Sequence, residues 1–127
     1  MADANGQAVE RYWAALEAGD YDEAQRQLHE DLVEVWPQSG ERVIGPVNWM
    51  RVIREHPTPP AFRVRRTIGR EELWVAEVTF DYAPDGSARY EVCAVMECRD
   101  GKIWRLTEYF GAPFESADWR ADFAERT

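Results

Sequence analysis

Chemistry in this sequence starts from Glu34, in the stretch Leu32-Val33-Glu34-Val35-Trp36-Pro37. In a strand, Leu32, Glu34 and Trp36 share one face, and Val33 and Val35 share the other. If the valines are the buried side, Glu34 stands in water, which is the simpler reading of these residues alone. If Leu32 and Trp36 face a cavity, Glu34 stands in it beside an indole. Burial there disfavours its charged form and raises its proton affinity, the property a general acid or base working near neutrality needs. Other chemistries find less support. Ser39, Ser87 and Ser116 lie in turn-like segments with no histidine patterned beside them, which argues against a covalent nucleophile. His29 and His56 have no cysteine or carboxylate at ligand spacing, so no metal site and no cofactor is expected.

The elements that would position such a group follow from periodicity. Asn5 can cap a helix to about Ala18, with Gly19 as its left-handed stop and Ala8, Val9, Tyr12, Trp13 and Leu16 as its inner face. Tyr12 is the one polar-tipped member of that face, either a core residue with a satisfied hydroxyl or a pocket residue. Asp20 and Glu23 form a capping box for a second helix through Ala24 and Leu28, with His29 at its end. A strand over about Asp31–Trp36 stops at Pro37, a short strand returns over Glu41–Ile44, and Gly45-Pro46 starts a helix to about Glu55. Val47, Met50 and either Ile53 or Arg54 mark one side of that helix; Trp49, Val52 and His56 mark another. From Ala61 the period is two. Phe62, Val64, Arg66 and Ile68 share a face in the first long strand, and Trp74 to Tyr82 alternate in the next. A strand over about Ala88–Cys98 and the Asp100-Gly101 hairpin lead into Lys102–Phe110. A last helical turn is expected from Ser116, anchored by Trp119 and Phe123. The order predicts an α+β fold: a cone-shaped, curved antiparallel sheet with helices on its concave face and a ligand-sized mouth.

Bulk properties narrow the partners. The 127 residues suit one domain, 1–127, and six Trp, five Tyr and five Phe supply enough large side chains to line a cavity as well as fill a core. Net charge is −9 and no element carries a basic stripe, so nucleic acid and anionic membranes are not expected partners. No apolar run is long enough to span a bilayer and no signal-peptide core is present. Cys93 and Cys98, five apart in one strand, point to opposite faces and do not bridge, which suggests a reducing cytoplasm.

The chain resembles the nuclear transport factor 2-like superfamily, and within it the SnoaL-like branch. The resemblance is carried by Tyr12-Trp13-Ala14-Ala15-Leu16 with Gly19-Asp20, by Trp36-Pro37-Gln38-Ser39-Gly40-Glu41-Arg42 with Gly45, and by Asp100-Gly101-Lys102-Ile103. Glu108-Tyr109-Phe110, Ala112-Pro113-Phe114 and Trp119-Arg120 complete it. It implies a cystatin-like cone in which the position of Trp36 faces the cavity, and so places Glu34 there too. Glu108 and Phe110 would face in from the last strand, Phe80 and Tyr82 from the middle of the sheet, and Tyr90 and Ala94 from the strand between. Arg66 would be a counter-ion for one carboxylate or would snorkel to the rim. Tyr12 is similar to the tyrosine that polarises the carbonyl in ketosteroid isomerases. The base position of those enzymes holds Trp36 here, however, and their second acidic position falls near Ala94, so that activity is not expected. Glu108 is the candidate for the acid–base carboxylate of SnoaL-like cyclases, while the Asp-Arg-Asp set of the superfamily's epoxide hydrolases finds no counterpart.

The expected site is therefore Glu34 and Glu108 as catalytic carboxyls, with Tyr12, Trp36, Arg66, Phe80, Tyr90 and Phe110 around a small apolar molecule. One carboxyl ionised and one protonated would suit enolisation, aldol-type cyclisation, isomerisation or dehydration of a carbonyl compound without a cofactor. A buried ion pair of either glutamate with Arg66 or Arg42, or plain exposure at the rim, is the structural alternative. The functional alternatives are a binding module without chemistry and an interaction module working through the outer sheet face. A homodimer through that outer face is expected, because Cys93, Val95, Ile103 and Tyr109 are mixed there with Glu97, Arg105 and Thr107.

Overall fold

A computed structural model describes residues 3–127. Helix α1 (Ala4–Ala18) is capped two residues earlier than expected, by Asp3 and not Asn5: the Asp3 carboxylate accepts from the Asn5 backbone N–H at 2.9 Å. Asn5 is free for another task. Its amide donates to the Glu71 carbonyl and accepts from Gly101 N–H, tying the helix start to two hairpin turns. Gly19, at φ 74°, ends the helix in the left-handed conformation its sequence position suggests. Helix α2 (Tyr21–Arg26) has the expected Asp20 cap on Glu23 N–H but stops short of Leu28. That residue already begins strand β1 (Leu28–Trp36), so His29 lies in a strand and not at a helix end. Strand β2 (Glu41–Ile44) and helix α3 (Pro46–Arg54) follow, with Pro46 in the first turn of α3.

Four long strands complete the sheet: β3 (Ala61–Arg70), β4 (Leu73–Asp81), β5 (Arg89–Arg99) and β6 (Lys102–Gly111). The order is β2-β1-β6-β5-β4-β3, antiparallel except that β1 runs parallel to β6 in the middle. Asp100 (φ 56°) and Gly101 (φ 73°) make the two-residue turn between β5 and β6. Helices α1 and α3 cover the inner face, where Val9, Tyr12, Trp13, Leu16, Met50 and Ile53 meet Leu32, Val78, Met96 and Leu106. The buried Trp13 indole donates to Met96 Sδ at 3.2 Å.

Two β-bulges curve the sheet and overturn two expectations about faces. In β3, Val64 faces Val78 and Arg66 faces Glu77, leaving Arg65 as the extra residue. Strand parity therefore reverses after Val64: Val64 stays inside, while Arg66 and Ile68 turn out, Ile68 with 57% of its surface exposed. In β6, Trp104 is the extra residue between Ile103, opposite Cys98, and Arg105, opposite Glu97. Ile103 is consequently buried in the core and does not belong to the outer face. The C-terminal turn also differs. It is a short 3-10 turn over Asp118–Arg120, and Phe114, Trp119 and Phe123 are 77–85% exposed. No residue after Glu108 is buried, so these rings have no core to anchor in.

Candidate functional site

The parallel pairing of β1 and β6 brings the two glutamates together. Glu34 is in register with Leu106, so Glu108, two residues on and on the same face, sits beside it. Both are fully buried, as are Leu32 and Leu106 on the same rows. Glu34 thus faces in with Leu32 and Trp36, while Val33 and Val35 are only half-buried. The valine-inward pattern loses because the helices cover the other face.

Among the described residues no cation pairs with either glutamate. Arg42, on β2, is exposed, and Arg66 pairs with Glu77 on the outer face. The ion pair considered from sequence is therefore absent among the described residues, and Arg66 lies outside the site because the Arg65 bulge turns it away. Burial raises the proton affinity of Glu34 well above the ordinary carboxylate range, and the charge of Glu108 and a hydrogen bond with it raise it further. Burial pushes Glu108 up to about 7, opposed by hydrogen bonds from Glu34 and Trp36. With both groups ionised, the Glu34 oxygens and Glu108 Oε2 have no partner. A proton between the two groups would partner two of these three oxygens, because a carboxylic acid can donate to its neighbour where two carboxylates cannot. Burial and mutual repulsion hold the proton affinity of the pair above the ordinary carboxylate range, so the two carboxyls titrate as one coupled unit.

Two indoles and one phenol complete the polar core. The Trp36 indole N–H donates to Glu108 Oε1 at 3.4 Å, a long bond. Trp49 Nε1–H donates to the Tyr12 hydroxyl at 2.8 Å. Tyr12 is fully buried, and burial followed by the charges of Glu108 and Glu34 holds its phenol protonated. It is a core residue with a satisfied oxygen, close to the carboxyl pair.

Above this layer opens a cavity of about 470 Å³, lined by Trp36, Gln38, Ser39, Trp49, Val52, Ile53, His56, Pro60, Phe62, Phe80, Tyr82, Tyr90, Phe110 and Ala112. Of the residues expected around a ligand, Trp36, Phe80, Tyr90 and Phe110 line it. Tyr12, Glu34 and Glu108 lie beneath the wall and do not line it, and Arg66 is elsewhere. Trp36 is the link, since it lines the cavity and bonds Glu108. The rings hold one another edge to face: Phe80 against Phe62 and Phe110, Tyr82 against Tyr90, Trp36 against Trp49.

Sequence reasoning left Trp49 and His56 without a role, although their spacing with Val52 marks a second apolar side of α3 that could have shown them. Gln38 carried no signal, since polar turn residues ordinarily face solvent. Here its amide donates to the Phe110 carbonyl at 2.7 Å and its oxygen accepts from Phe110 N–H, pinning the β1–β2 turn to the end of β6 at the cavity rim. Among the described residues, no group of three or more His, Cys, Asp or Glu could hold a metal ion. No helix among them is long and apolar enough to cross a membrane.

Comparisons with known proteins agree with this architecture. Residues 9–106 match the family model described as the SnoaL-like domain. A crystal structure of an NTF-2 like protein of unknown function from Burkholderia xenovorans is 34% identical and superposes with a TM-score of 0.85, over 98% of this chain and 95% of that one. A protein from Kribbella flavida, proposed to be a ketosteroid isomerase, is 22% identical with a TM-score of 0.85 over 98% and 90%. An LEH-like epoxide hydrolase from M. tuberculosis is 27% identical with a TM-score of 0.67 over 84% and 81%. No curated protein matches the chain.

Proposed function

The chain belongs to the SnoaL-like domain family, and from that premise we propose that it binds a small, largely apolar carbonyl compound in the aromatic cavity and moves a proton on it with Glu34 and Glu108. The observation that carries this reading is the fully buried carboxyl pair without a countercharge, joined to the cavity wall through Trp36. A pair that shares one proton contains both partners that enolisation needs: an ionised carboxylate to take the proton beside the carbonyl and a carboxylic acid to donate to its oxygen. Near neutrality Glu108 is the base and Glu34 the acid. The long Trp36–Glu108 bond is the contact a substrate must replace to reach Glu108. The reaction class is isomerisation, cyclisation or dehydration without a cofactor. Efficient ketosteroid isomerisation is outside this reading, because Trp36 cannot act as a base and Ala94, directly opposite Glu108 in the sheet, cannot donate a hydrogen bond.

The alternative is ligand binding without chemistry, and the observation that favours it is that neither carboxyl lines the cavity. Exchange of α-protons for deuterium in a panel of small ketones separates the two. The enzymatic reading expects exchange that Glu108→Gln slows about a hundredfold or more. Ligand binding with no exchange above background across the panel leaves the binding module. The free thiols, Cys93 exposed and Cys98 buried, support a reducing cytoplasm as the place of action.

A further inference from the structure

The cavity is unusual in its charges. No Lys, Arg, Asp or Glu lines it, and half of its lining residues are Trp, Tyr or Phe. Beneath that wall lies the Glu34–Glu108 pair, whose recorded polar neighbours are each other and the Trp36 indole, all without positive charge. One shared proton leaves the pair with one net negative charge and nothing among the described residues to offset it. That charge reaches the cavity at two points. The Trp36 indole touches Glu108 directly, and the Tyr82 phenol is pushed up to about 12, first by burial and then by the charge of Glu108. Aromatic faces are themselves electrostatically negative and attract cations, and the low dielectric of a buried site strengthens the pull of the carboxylate.

We propose that the cavity selects a small hydrophobic organic cation, a protonated or quaternary amine, over a neutral molecule of the same shape. This rests on the reading of Glu34 and Glu108 given above and deepens it: the carbonyl compound carries a basic nitrogen. Its cation supplies the countercharge that the chain lacks. The preference is greatest when the pair holds one proton or none, and it fades when acid adds the second proton and neutralises the pair. The titratable groups facing the site are Glu34 from β1, Glu108 from β6, Tyr12 from α1, Tyr82 just after β4, Tyr90 from β5 and His56, just after α3, whose ring lies 4.8 Å from that of Tyr82. Histidine in general changes charge near neutrality, so His56 needs its own control.

The test compares phenyltrimethylammonium with its neutral isostere tert-butylbenzene, followed by the indole signals of Trp36 and Trp49 in NMR titrations of the full chain. At about pH 8 the cation is expected to bind about tenfold tighter. That preference shrinks toward about pH 5, in the wild type and equally in His56→Asn. Glu108→Gln is expected to cut the preference severalfold, leaving the part that the aromatic faces supply. Equal or tighter binding of tert-butylbenzene at pH 8 overturns the selectivity and leaves the cavity and its acid–base chemistry standing. A preference that survives unchanged in Glu108→Gln overturns the assignment of the charge. Failure of both molecules to shift either indole overturns the selectivity and the ligand cavity together. The wild-type comparison needs no variant, so a folding defect in Glu108→Gln does not rescue the proposal.

Discussion

At the residue scale, a buried glutamate pair without a cation is held together by protons. Ionising both carboxyls would leave three oxygens without partners in the core. The consequence for stability has a definite sign. A carboxyl whose proton affinity is raised by folding stabilises the fold fully below its ordinary value near 4.5, and that contribution is lost as pH rises through its folded value, about 7 for Glu108. The melting temperature should therefore fall between about pH 5 and pH 8. In Glu108→Gln, which keeps the shape without the charge, the fall should be smaller; thermal unfolding by circular dichroism across this range measures both. An arginine partner would have made Glu108→Gln destabilising instead, because a buried cation would lose its partner, and none is present among the described residues. Trp36 tunes the same group. Its N–H bond lowers the proton affinity of Glu108, so Trp36→Phe should move the Glu108 titration upward, as read from the side-chain carboxyl carbon in NMR. An unchanged midpoint would mean that the long indole contact has no electrostatic weight.

At the element scale, the site depends on where strand parity holds and where bulges break it. Close packing at the β3–β4 hairpin is part of that geometry. A Cβ at Gly69 would stand 2.4 Å from the Leu73 carbonyl oxygen and 2.6 Å from Trp74 Cα, both backbone atoms that cannot easily move. Gly69→Ala should cost about 1–3 kcal/mol, measured by urea unfolding; a neutral result would show that the hairpin yields. The same elements explain what was legible in the sequence. Regular alternation in β4 and β5 gave each strand two faces, the resemblance turned Phe80 and Tyr90 inward, and the capping residues Gly19, Asp20 and Pro46 marked helix ends directly. Periodicity failed at Arg66, Ile68 and Ile103, because a bulge adds one residue without any composition that announces it. Glu34 could not be placed from its own strand, where valines on one side compete with Leu32 and Trp36 on the other; the face covered by helices decides it, and only the resemblance to a known fold supplied that. The parallel β1–β6 pairing, which joins Glu34 to Glu108, is a long-range fact that no local pattern carries.

At the scale of the whole molecule, the fold sets an aromatic wall over a buried carboxyl pair and leaves a mixed apolar and charged sheet face outside. Cys93 and Tyr109 are exposed on the outer sheet face, Tyr109 by 47%, with Val95 half-buried beside them. We propose that this face pairs two copies of the chain, even though Ile103 belongs to the core. Light scattering at micromolar concentration should give twice the 14.7 kDa chain mass; a monomer there would remove the claim. The account as a whole turns on the carboxyl pair, and its most direct test is a carbon-detected NMR titration of the Glu34 and Glu108 side chains in the wild-type protein. Both should titrate above the ordinary glutamate range, Glu34 higher than Glu108, each curve bent by the other's ionisation. Two independent curves at ordinary glutamate values would mean two solvated carboxylates, and would contradict the site.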